Sequence, residues 1–291
     1  MTHAIEIVAY TDPYCTWCWG SEPMLRHLQE SYSEQITIRS VMGGLVEDFG
    51  SFRDPMNSIG GGDASIQPIA DHWIEASVRH GMPVNTAEFL KAPFRSTWPS
   101  NIAYEAANLQ DESVATRYLR RLRESAATES NDLGDPEVLA DLAREVGLDR
   151  ARFLVDFNGR ARDAFARDRL ECIQRGVHGF PTFLVTANGK DRLARGYRSY
   201  EQMVGLIDLL AGEPVERREP DFDDLGVLDF VEKYGSAAVR EVAEVFGVSD
   251  TEAKAALGRL VAAGALALPE PGLLYRTPAS VACDPATGRC V

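Results

Sequence analysis

Nowhere in the 291 residues does an apolar run approach the roughly 20 residues needed to span a bilayer. The opening stretch Met1-Thr2-His3-Ala4-Ile5 carries no basic n-region, apolar h-region or cleavage site, so the expected location is the cytoplasm. Positive charge is in deficit: 30 Lys and Arg against 44 Asp and Glu leave a formal charge of -14 and a pI near 4.9. That composition excludes polybasic membrane anchoring, argues against affinity for nucleic acid, and leaves a solvated acidic surface. Lysine is scarce beside arginine, and the five cysteines are too few for a disulfide framework in a chain of this length. With no second C-x-x-C and no H-x-x-x-H, a zinc site lacks ligands, and neither metal nor cofactor is expected.

What is present is Cys15-Thr16-Trp17-Cys18. It follows a β-prone run, Ala4 to Tyr10, and the turn residues Thr11-Asp12-Pro13-Tyr14, and it precedes Met24, Leu25 and Leu28 at helical spacing. The cysteines therefore sit where a strand hands over to a helix, and one helical turn brings two sulfurs within disulfide reach. Unpartnered N–H groups and the positive end of the macrodipole favour a thiolate in a first turn. Cys15 is thus expected to be the acidic, exposed sulfur that attacks, and Cys18 the inner one that resolves. A lower pKa gains little in attack rate, because nucleophilicity falls with it, but makes the disulfide more oxidising. A degenerate centre in a protein that only binds partners is the main competing reading, ahead of a purely structural pair.

Further along, Gln35 to Val41 alternates as a second strand and Gly43-Gly44 stops it. Val46 to Ser65, with Gly60-Gly61-Gly62, is expected to be a mobile loop near the site. Helical patterning runs from about Pro68 to Gly176, through Trp73, Ile74 and Val78, Ala103 to Leu109, Val114 to Leu122, and Asp135-Pro136-Glu137 to Val146. Strand character returns at Thr182 to Thr186, Asn188-Gly189 is a hairpin signal, Arg192 to Arg195 pairs back, and Tyr200 to Leu210 is a helix.

The order β, α, β, helical block, β, β, α, with C-x-x-C after the first strand, resembles the thioredoxin fold with a helical insertion found in DsbA-like proteins. The fold class is α/β. Asp12-Pro13-Tyr14-Cys15-Thr16-Trp17-Cys18-Trp19-Gly20, Trp98-Pro99-Ser100-Asn101 and Gly179-Phe180-Pro181-Thr182 are similar to stretches of the FrnE-like branch. The resemblance covers roughly residues 4 to 211. It implies a thiol-disulfide oxidoreductase acting on protein or small-molecule thiols and disulfides, served by a thiol reductant or oxidant system. It further implies Cys15 and Cys18 as catalytic residues and a cis Pro181 beside Cys15, with Phe180 preceding it. An X-Pro bond of that kind leaves the preceding backbone free to pair with an extended substrate. Trp17 offers apolar contact to substrate; Trp19 is read equally as core. His178, His27 and Glu22 are read as satisfied or solvated side chains, and Cys172 as a core thiol. Some relatives act instead as adaptors that present proteins to a protease, which the C-x-x-C leaves open.

The expected organisation is residues 1–211 as the thioredoxin-fold domain (insertion about 66–176), 212–222 as linker, 223–278 as a winged-helix-like domain and 279–291 as a tail. In the second domain Leu225 to Tyr234, Val239 to Phe246 and Thr251 to Ala263 read as helices, and Leu266-Ala267-Leu268 with Leu273-Leu274-Tyr275 as a hairpin. Residues 222–278 carry five basic and nine acidic side chains, so docking or homodimerisation is expected there ahead of DNA binding. Cys283 and Cys290 flank turn residues and are a candidate second redox pair, against a tail disulfide or metal-binding thiols.

Overall fold

The computed structural model describes residues 5–55, 59–60, 66–86, 95–129 and 131–278. Strand β1 (Ile5–Thr11) pairs in parallel with β2 (Ile36–Met42), Ile5 opposite Ile36. A parallel pair needs a crossover, supplied here by the one-turn helix α1 (Thr16–Trp19) and helix α2 (Glu22–Tyr32). Next comes a two-residue antiparallel ribbon, β3 (Arg53–Asp54) with β4 (Ile59–Gly60), inside the stretch expected to be loop.

The helical block comprises α3 (Ile66–His80), α4 (Trp98–Asn108), α5 (Glu112–Glu124), a π-type turn Ser125–Glu129, α6 (Pro136–Glu145), α7 (Arg150–Phe157) and α8 (Arg160–Gln174). Its starts are written in the sequence: Asp111, Asp135 and Asp149 each accept backbone N–H groups at a helix N-terminus. The chain then returns as β5 (Thr182–Ala187) and β6 (Lys190–Arg195), joined by Asn188 and Gly189 at φ of 50° and 70°, and closes with α9 (Tyr200–Ala211). β5 lies antiparallel to β1, Tyr10 opposite Thr182, so the sheet order is β2-β1-β5-β6.

Alternation along β1 and β5 divides the core. Ile5, Ile7, Ala9, Phe183 and Val185 pack under α2 and α9, while Val8, Tyr10 and Leu184 face Cys172 and Val177. The helical block has its own core around Trp73, Tyr118, Leu122 and Phe153, into which Trp19 and Met42 project. No helix among the described residues is long and apolar enough to cross a membrane.

The C-terminal unit contains α10 (Asp224–Tyr234), β7 (Ser236–Ala237), α11 (Val239–Phe246), α12 (Asp250–Ala262) and β8 (Tyr275–Arg276) around Val227, Phe230, Val242 and Leu257. The expected hairpin is reduced to one antiparallel bridge, Ala267 with Arg276, and Tyr275–Arg276 pairs in addition with Ser236–Ala237. Of the two cations on α12, Arg259 is held by Asp224 at 2.6 Å. The unit meets the rest through buried charge. Glu241, fully buried on α11, receives Arg120 from α5 at 2.8 Å and Arg26 from α2 at 3.0 Å, and Arg26 also donates to the Ser236 carbonyl at 2.8 Å.

Candidate functional site

Cys15 is the N-cap of α1, and its Sγ accepts the Cys18 N–H at 3.1 Å. Both sulfurs are free thiols. The expectation of an exposed Cys15 is corrected: Cys15 is 4% and Cys18 2% accessible, because the helical block closes over the strand-to-helix junction. The expectation of an acidic Cys15 is corrected with it. Burial pushes the Cys15 thiol well above the ordinary thiol range, and α1 ends after four residues, which leaves little macrodipole to oppose burial. For Cys18, burial also acts upward, but a hydrogen bond from Cys15, the positive charge of Arg123 and hydrogen bonds from Thr11 and the Asp12 backbone outweigh it, and its thiol stands lower than usual.

Cys15, but not Cys18, lines a cleft of about 690 Å³. Its walls include Tyr14, Trp17, Phe49, Trp73 and Phe180, with Arg53, Asp54, His72, Glu75 and Arg79 at polar positions. Trp17 is wedged edge-on against His72 and His80, at 6.4 and 5.8 Å between ring centres, and meets Tyr197 at 5.8 Å. The Phe180–Pro181 peptide is cis, and Pro181 is buried at the head of β5. The Phe180 ring lies on Gly43: a Cβ there would come within 1.8 Å of it, so any other residue just after β2 would have to push the ring aside. His178 is exposed at the cleft. The expected pair Cys283 and Cys290 lies outside the described residues.

Three further groups support the C-x-x-C from below. Asp12, fully buried, accepts the Tyr14 N–H on one oxygen and the Leu45 N–H, Thr97 hydroxyl and Asn101 amide on the other, at 2.7 to 2.8 Å. Burial raises its pKa while these donors oppose the rise. Two motifs of the sequence, Asp12-Pro13 and Trp98-Pro99-Ser100-Asn101, are thus one hydrogen-bonded unit. His80, buried on α3, accepts the Met82 N–H on Nδ1 at 3.1 Å, which leaves Nε2 as the donor toward the Thr16 hydroxyl at 3.5 Å. Burial holds its pKa down at about 4, so it is a neutral clamp on α1. Glu22 and Arg123 form a buried ion pair beside Cys18, with Arg120 3.4 Å from the same carboxylate.

Asp12 and Asn101 were legible as motif residues. His80 and Arg123 were not, since nothing in a helical pattern marks which polar residue turns inward, and Glu22, read as satisfied or solvated, is satisfied by the buried arginines. His27 stacks on Tyr200 at 3.5 Å, and Cys172 is a core thiol that burial pushes up to about 12.

A family model described as Thioredoxin matches residues 8–204, from within β1 to within α9. Among curated proteins the chain is similar to the ClpXP adapter protein SpxH of Halalkalibacterium halodurans, 29% identical over 88% of this chain and 83% of that protein. The protein of the same name from Shouchella clausii is 27% identical over 88% and 82%. Among solved structures, a candidate protein disulfide isomerase from Nitrosomonas europaea superposes with a TM-score of 0.59 at 22% identity, covering 70% of this chain and 96% of that one. The cytosolic disulfide reductase DsbM from Pseudomonas aeruginosa gives 0.52 at 22%, covering 71% and 95%. With the sheet, the helical block between β2 and β5, and a family match over most of the chain all in agreement, the chain belongs to the thioredoxin family and has the fold of its DsbA-like members.

Proposed function

We propose that the chain is a thiol-disulfide oxidoreductase that exchanges disulfides with protein or small-molecule thiols through Cys15 and Cys18. The observation that carries this reading is the asymmetric pair at the cleft: Cys15 lines the cleft, Cys18 lies behind it, and the Cys18 N–H binds the Cys15 sulfur at 3.1 Å. In this reading an incoming thiolate attacks Cys15 of the oxidised pair and the electron pair of the broken S–S bond leaves on Cys18. In the opposite direction Cys15 attacks a substrate disulfide and Cys18 resolves it. Trp17 and Phe180 supply apolar contact. A thiol reductant or oxidant system of the cytoplasm regenerates the pair, and the chemistry needs no cofactor.

A second reading is favoured by the names of the relatives. As an adaptor the protein would use the same cleft or its C-terminal unit, alone or as a homodimer, to hold a partner protein. One comparison separates the two: disulfide reduction and formation by wild type and by Cys15→Ser. The oxidoreductase reading expects a loss of about a hundredfold or more in the variant; equal rates sink it in favour of the adaptor.

A further inference from the structure

We propose that the seam between α2, α5 and α10 holds a binding site for one phosphate-class oxyanion, which clamps the C-terminal unit to the thioredoxin-fold unit. Such a site needs no disulfide chemistry, and it serves an oxidoreductase and an adaptor alike. It is a cavity of about 110 Å³ that shares no lining residue with the Cys15 cleft. Arg26 and Glu22 reach it from α2, Arg117, Arg120 and Arg123 from α5, and Lys233 from α10. Five cations therefore face one carboxylate across a space of three or four waters, at about 30 Å³ each. That is room for a tetrahedral oxyanion and too little for a nucleotide or a peptide, since pockets for larger ligands take roughly 300 Å³ or more.

The carboxylates that serve these cations are each shared. Glu22 takes Arg26, Arg120 and Arg123, and Glu241 takes Arg26 and Arg120. Glu124 takes Arg120 and Arg276, and Glu30 takes Lys233 and Arg218. Arg120 is well served: although burial opposes its charge, Glu241, Glu124 and Glu22 together raise its pKa above the ordinary value.

The deficit falls on the others. Arg123 is 4% accessible, and its Nε has no hydrogen-bond partner among the described residues. Burial, then the charge of Arg120, pushes the Arg26 guanidinium below its ordinary range despite Glu241 and Glu22. Arg117 is exposed and makes no ion pair among the described residues; the carboxylate its charge acts on, Asp111, is engaged in capping α5. Buried charge short of partners is costly, and guanidinium groups present paired N–H donors that match a tetrahedral oxyanion. An oxyanion between Arg26, Arg117 and Arg123 supplies the missing charge, and through Lys233 it ties α10 to α5.

Calorimetry on the full chain with orthophosphate, against chloride at equal ionic strength, tests the site. Wild type is expected to take up one ion per chain with a dissociation constant of about 1 mM or below, and hydrogen exchange should slow in α10 and α5 together. Arg117→Gln and Lys233→Gln change exposed side chains and should fold as wild type does. Each should weaken binding about tenfold or more, the worth of one charge-assisted hydrogen bond. Arg144→Gln, which removes the same charge from an exposed position on α6, should leave the affinity unchanged. A second arm with phenyl phosphate separates the sources: orthophosphate binding alone assigns the site to the free ion, equal binding of phenyl phosphate assigns it to a phosphate group carried on a larger ligand, and both support the site. No saturation by either probe up to about 10 mM overturns it. So does equal affinity in wild type, Arg117→Gln and Lys233→Gln, or an equal loss in Arg144→Gln. None of these readouts follows disulfide exchange, so failure here leaves the oxidoreductase reading standing.

Discussion

Asp12 illustrates how single residues fix the C-x-x-C. A carboxylate without water is costly unless its lone pairs are filled, and here four donors converge on its two oxygens from the turn, from the segment after β2 and from the start of α4. Asp12→Asn keeps the shape but turns an NH2 group toward at least one of those donors. The expected loss is about 2 kcal/mol, read as a lower denaturant midpoint at unchanged slope. Asp12 and Asn101 were visible in the sequence as parts of separate motifs, but their contact was not, because 89 positions separate them. Arg123 shows the opposite limit. Arg120, Arg121 and Arg123 read as polar positions on a helix, yet all three are under 10% accessible. Burial of arginine depends on carboxylates delivered by other elements, which no local pattern encodes.

At the scale of elements, strands and helix starts were the legible part. A β-prone run placed β1, period-two alternation placed β2 and the returning strand character placed β5, each to within a residue or so of its observed ends, and Asp135-Pro136-Glu137 marked the start of α6. What local signals missed was pairing across long separations, as in the β7–β8 contact, since partner choice is made by tertiary packing. The α4–α8 contact adds a titratable feature. Glu105 on α4 and Asp168 on α8 hydrogen-bond to each other, and Asp168 also accepts the Met42 N–H at 2.7 Å. Burial, followed by the charge of Asp168, lifts the Glu105 carboxyl to about 8. A raised carboxyl pKa means that the folded state binds the proton more tightly than the unfolded one. Its contribution is complete below about 4.5 and is lost as pH rises through about 8. Thermal scans should therefore show stability falling across that window by on the order of 2–4 kcal/mol. Glu105→Gln should flatten the fall; an equal slope in the variant would assign it elsewhere.

At the scale of the whole molecule, the C-terminal unit and the thioredoxin-fold unit share a buried ion network. Glu241 faces Arg120 and Arg26, Arg120 also binds Glu124 at 2.7 Å, and Arg276 reaches Glu124 at 2.9 Å. Removing one member of a buried pair strands the other charge, at a cost of about 3–5 kcal/mol. Glu241→Gln is expected to lower stability by that amount and to lower it in both units together, as read by hydrogen exchange of α11 and of β1. Exchange accelerated in α11 alone would mean that the units open independently. The same network bears on heredity. A C-terminal unit moved by recombination into a relative without Arg26 and Arg120 would carry the Glu241 carboxylate into the seam without its cations, and a thioredoxin-fold unit parted from Glu241 would leave Arg26 and Arg120 to share Glu22 and Glu124. Exchange of either half alone is therefore penalised, and the two halves should descend as one piece.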